Sequence, residues 1–79
     1  MERFKSIIEA LTELQNESGV PRNVKEGICD TISALKDDAE PQIKVHKALN
    51  LLEELAEERN LQPYTRTQLF NMVSLLEMI

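Results

Sequence analysis

The 79-residue chain is 42% apolar and 29% charged, has two glycines and three aromatic residues (Phe4, Tyr64 and Phe70), and carries a formal net charge of −5. That composition argues against disorder and against a β-sandwich, and its acidic balance argues against general nucleic-acid binding, in which lysines and arginines must neutralise many phosphates. One domain spanning residues 1–79 is expected, and at this size folding buries only about 60 to 65% of the unfolded chain's surface, so the domain is marginal alone.

A helical period runs through every apolar stretch. The first helix is expected from about Glu2 to Glu17, with Phe4, Ile7, Ile8, Leu11 and Leu14 on one stripe. Gly19 would close it in the left-handed conformation, and Val20 would fold back onto its last turn. Pro21 to Glu26 opens the second helix, in which Asn23 and Glu26 have the spacing of a capping box and Val24, Ile28, Ile32 and Leu35 form the core side. The polar string Lys36 to Pro41 ends it, because the residue before a proline is disfavoured in a helix, and two acids there are placed to cap the next one.

The third helix, Pro41 to Arg59, is the amphipathic segment around which the chain is organised, with Val45, Ala48, Leu49, Leu52, Leu55 and Ala56 at helical spacing. Asn60 and Leu61 then take the roles of Gly19 and Val20. Pro63 to Gln68 opens the fourth helix, with Thr65 as cap and Gln68 as its partner, followed by the inner stripe Leu69, Met72, Val73, Leu76 and Ile79. Links of about three to six residues force neighbours to be antiparallel, so the expected fold class is all-α, a four-helix up-and-down antiparallel bundle.

The two halves are alike under a shift of 41 positions. Leu11 falls on Leu52, Leu14 on Leu55, Ile28 on Leu69 and Leu35 on Leu76, and Glu13, Glu17 and Ser33 meet Glu54, Glu58 and Ser74. Two related helical hairpins would explain this. Any two hairpins of equal length would also align their apolar stripes, and only the shared turn chemistry goes further.

No catalytic, metal or phosphate-binding motif stands at recognisable spacing, so neither an enzyme nor a cofactor is expected. Cys29 is the only cysteine and reads as a small, partly buried hydrophobe, and His46 as a boundary residue without partner ligands. Asp37, Asp38 and Glu40 lack the spacing of a calcium loop. No apolar run approaches the roughly 18 residues of a membrane span, and the first residues do not read as a leader, so a cytoplasmic protein off the membrane is expected.

Two surfaces offer themselves. The turn between helices one and two lies at the same end as the turn between helices three and four, so Arg22, Asn23, Lys25, Tyr64, Thr65 and Arg66 would gather where two helix N-termini point, an arrangement able to hold an anion. The same cations could instead offset Glu13, Glu17, Glu57 and Glu58 at the negative ends of helices one and three. Separately, Leu51, Phe70, Leu75 and Met78 fall outside the inner stripes and form a candidate interface.

The strings Val20-Pro21-Arg22-Asn23-Val24 and Pro63-Tyr64-Thr65-Arg66-Thr67, with Asn71 and Ser74-Leu75-Leu76-Glu77, resemble uncharacterised protein family 0147 of archaea over nearly the whole chain. The resemblance implies a small cytoplasmic four-helix bundle in a bromodomain-like arrangement and carries no catalytic or binding residue with it. Two departures are conservative: Lys25 stands where an arginine is usual, and Phe70 where a larger aromatic is. The apolar surplus on helices three and four makes the expected role a protein-interaction module that self-associates through them or pairs with another protein. A weak anion- or RNA-binding accessory factor using Arg22, Lys25 and Arg66 is the alternative, which loses its motive if those cations are all paired with Glu in the fold.

Overall fold

A computed structural model describes residues 2–79, with side chains described from Phe4 onward. Four helices follow one another, α1 (Glu2–Gln15), α2 (Arg22–Lys36), α3 (Pro41–Ala56) and α4 (Pro63–Glu77). Each packs on the next, α4 returns to α1, and the diagonal pairs stay apart, which is the ring of an up-and-down bundle. The core is built from the expected stripes. Phe4, Leu11, Val24, Ile28, Leu35, Leu52, Leu69 and Leu76 are almost completely buried.

Three helices start by one device. Pro41 and Pro63 occupy the first turns of α3 and α4, and Pro21 is the residue before α2, so an amide that would lack a partner is absent or preset in each case. The next turn then closes on the backbone, with the Lys25, Lys44 and Arg66 amides donating to the carbonyls of Pro21, Glu40 and Gln62, each at 3.0 Å. None of these starts uses a side-chain cap, so the expected capping roles of Asn23, Thr65 and the acids before Pro41 are not realised. The prolines set the helix starts earlier, and Thr65 becomes a third-position residue turned into the core.

The helix ends differ from expectation as well. α1 stops at Gln15 and α3 at Ala56, short of Glu17 and Arg59. Gly19 has φ +88° as expected, but no described non-glycine residue has a positive φ, so Asn60 does not take the left-handed role. Val20 and Leu61 are nevertheless both buried beneath their turns. Ile79 is 43% exposed rather than part of the inner stripe, since α4 ends before it, and Cys29 is exposed because it lies one position beyond the core residue Ile28. Lys44 is buried along its stem with its ammonium 5.2 Å from the centroid of the Phe4 ring, a cation–π contact that lets an alkyl chain serve as core.

Candidate functional site

At the end that carries the α1–α2 and α3–α4 turns, Arg66 reaches from the first turn of α4 to the last turn of α3. Its Nε donates to the Ala56 carbonyl at 2.9 Å and its Nη2 to the Glu58 carbonyl at 2.6 Å. The final carbonyls of a helix have no partner within it, so a guanidinium placed there caps the helix and balances its negative end. Arg66 thus meets the negative end of α3 through carbonyls, not through the carboxylates of Glu57 and Glu58. The Glu58 carboxylate accepts from Asn23 Nδ2 at 2.8 Å and from the Asn60 amide at 3.3 Å. These bonds favour the charged form and hold the Glu58 carboxyl below its ordinary value, the Asn23 bond contributing most.

The other expected members of this end point elsewhere. Asn23 and Lys25 are about 200° apart around α2, so Asn23 faces α3 while Lys25 turns away, and Arg22 lies exposed between them on the outside. The carbonyl of Lys25 accepts from Gln15 Nε2 at 3.4 Å. Thr65 is only 3% exposed and unavailable at the surface, whereas Tyr64 is 59% exposed and turned toward α1. The fold gathers Asn23 and Arg66 around Glu58 but does not bring Arg22, Lys25 and Tyr64 to them. Among the described residues no group of three or more His, Cys, Asp and Glu side chains converges on a metal position.

The residues expected at an interface divide as well. Phe70, Leu75 and Met78 are exposed, but Leu51 is half-buried on the α2 side of α3, beside Asp30, Ala34, Asp37 and Lys47. Phe70 and Leu75 lie about 140° apart around α4 and flank its outer face. Ile43 and Ile79, which the periodicity assigned to no surface, are also open. Their exposure follows from position, Ile43 on the outer side of α3 and Ile79 past the end of α4.

A groove of about 290 Å³ lies between α1 and α4, floored by Ala10, Leu14 and Met72 and edged by Glu13, Glu17, Tyr64 and Gln68. Its cause is visible in the matching seam on the other side of the bundle. There α2 and α3 make the most extensive helix contact of the molecule, and Gly27 receives Leu55 so closely that a β-carbon at Gly27 would stand 2.3 Å from Leu55 Cδ2. Shifted by 41 positions, Leu55 corresponds to Leu14 and Gly27 to Gln68. Gln68 cannot receive a leucine as a glycine does, and α1 and α4 make the least extensive contact of the four seams. Neither the groove nor the role of Gly27 was read from the sequence, although an internal glycine in a helix is a signal of close packing.

This chain belongs to the uncharacterised protein family UPF0147, whose family model matches residues 1–79. It is 32% identical over 78 residues to a UPF0147 protein of Sulfurisphaera tokodaii and equally to one of Metallosphaera sedula, each alignment covering 98% of this chain and 88% of the relative. The fold is similar to the crystal structure of MMP1188, a protein of unknown function, with a TM-score of 0.94, 30% identity, and coverage of 99% of this chain and 90% of that one. No helix among the described residues is long and apolar enough to cross a membrane.

Proposed function

We propose that this chain is a protein-interaction module of the cytoplasm, without catalytic activity of its own, and that α4 is the helix it offers to partners. One observation carries the reading. Of the six large apolar side chains left open among the described residues, Tyr64, Phe70, Leu75, Met78 and Ile79 lie on α4 or on the two residues that follow it. A domain this small gains little by leaving them in water, and each would return apolar burial worth about 25 cal/mol per Å² when covered. A second copy of the chain is the first partner to test, since an exposed helix face can pair with its own kind in a symmetric dimer.

The anion or RNA alternative is the weaker reading, because Arg66 is occupied by the carbonyls of α3 while Arg22 and Lys25 are turned away from it. Sedimentation of the wild type and of Phe70→Glu and Leu75→Glu, alone and with partners captured from native cytoplasm, tests the reading. At least one pairing, to itself or to a partner, should appear at about micromolar concentration and weaken in one of these variants with helical circular dichroism unchanged. A chain that stays monomeric at about a hundred micromolar and captures partners no differently after both substitutions is not an α4 interaction module.

A further inference from the structure

We propose that the groove between α1 and α4 is the docking site for a basic amphipathic helical segment of another protein, whose lysines or arginines meet Glu13 and Glu17 while its apolar side chains rest on Ala10, Leu14 and Met72. The inference rests on the reading of α4 as an interaction helix and assigns the chemistry of the partner.

The groove is a built feature. In the other seam the equivalent leucine, Leu55, is received by Gly27, whereas here Gln68 stands in the glycine's place and a groove remains, floored by the half-buried Ala10 and by Leu14 and Met72, themselves 5% and 6% exposed. Both charged residues that edge it are acids, and no cation lines it among the described residues. Those acids do little for α1 itself. Glu9 and Glu13 stand at four-residue spacing, a like-charge pair that opposes a helix, Glu13 lies in the negative C-terminal turn, where no basic residue is present, and Glu17 follows just past the helix end. Tyr64, at the mouth, offers a ring face that attracts a cation and an apolar body that covers an alkyl stem.

Charge decides between occupants. A second copy carries net charge −5 and brings acid toward acid, and a nucleic acid is repelled for the same reason. A compact small molecule fits poorly, because the groove is shallow and open along the helices and its volume is at the low end for such ligands. An amphipathic helix presents apolar and basic side chains in the alternation that this floor and rim require.

The test uses the full chain and a synthetic helical peptide of about fifteen residues, four turns, patterned with leucine and lysine, beside its leucine–glutamate counterpart. Binding is read by fluorescence anisotropy and mapped by amide shifts in the nuclear magnetic resonance spectrum. The lysine peptide should bind, weaken with added salt, and shift the signals of Ala10, Leu14, Gln68 and Met72, while the glutamate peptide should not bind. Glu13→Gln with Glu17→Gln should weaken binding roughly tenfold or more at low salt, Tyr64→Ala by several-fold, and Glu53→Gln, which removes an exposed acid of α3 outside the groove, should leave it unchanged. Binding that maps elsewhere, or that survives the double substitution, overturns the proposal. So does a double variant that loses thermal stability but binds as before, since the acids would then serve the fold. Loss of binding in Phe70→Glu alone overturns the groove and leaves the α4 reading standing, whereas failure of the lysine peptide together with unaltered partner capture by all α4 variants overturns both.

Discussion

The α2–α3 seam and the α1–α4 seam occupy corresponding places in the two halves, yet one is the most closely packed in the molecule and the other is a groove. The positions that meet across them correspond under the 41-residue shift, Leu55 against Gly27 in the first and Leu14 beside Gln68 in the second. The closed seam has a glycine where the open one has a glutamine, and only the glycine leaves room for a leucine at that height. The two turns beside these seams differ in the same way. One ends its helix with a left-handed glycine, the other with an arginine borrowed from the following helix.

Where the halves agree, truncation should hurt them equally. Leu11→Ala and Leu52→Ala remove side chains that are both completely buried, and each should cost about 2 to 5 kcal/mol in urea denaturation. A cost below about 0.5 kcal/mol at either position would mark it as a surface site and break the equivalence. The seams should respond unequally. Gly27→Gln forces a side chain into the space filled by Leu55 and should destabilise by about 1 to 3 kcal/mol, while Gln68→Ala, at the half-buried counterpart, should stay within about 0.5 kcal/mol of wild type. Equal effects would show that the groove has another cause.

The turns give smaller differences. Arg66→Ala leaves the Ala56 and Glu58 carbonyls without their donors and should cost about 1 to 2 kcal/mol, whereas Arg22→Ala, at an exposed residue, should cost almost nothing. Gly19→Ala should cost about 1 kcal/mol, because a residue with a β-carbon is strained at φ +88° and that carbon would stand 3.0 Å from Gln62 Nε2. Asn60→Ala, at the equivalent position without positive φ, should lack this strain, and thermal melts of the pair compare them directly.

The smallest effect is electrostatic. Glu58 should titrate below its ordinary value of 4.5, and Asn23→Ala should move it back up, as carboxyl resonances in a pH series would report. A carboxyl whose folded pKa is depressed adds stability that is present above its unfolded value and is lost as pH falls through the folded one. The contribution should therefore vanish only in acid below 4.5, and in Asn23→Ala it should already be reduced above that point. An unchanged Glu58 titration in Asn23→Ala would show that the side-chain bond is not formed in solution.

Periodicity determined the four helices and most of the core, since a residue's place on a helix face follows from its spacing and burial follows from that face, and the short links determined the order in which they pack. Gly19 and the proline starts were legible for the same local reason, each depending on the backbone freedom of one residue. The caps were misread at Asn23, Thr65 and Asn60 because the donors and acceptors at a helix end are filled from whatever lies near it in space. Arg66 is ten residues from Ala56, and Asn23 is thirty-five from Glu58. The burial of Lys44 over Phe4, the fit of Leu55 on Gly27 and the groove along Gln68 likewise depend on pairs of residues from different helices. A sequence specifies which face each helix turns inward, but how closely two faces approach is a property of the side chains that meet across the seam, and only the tertiary structure decides which those are.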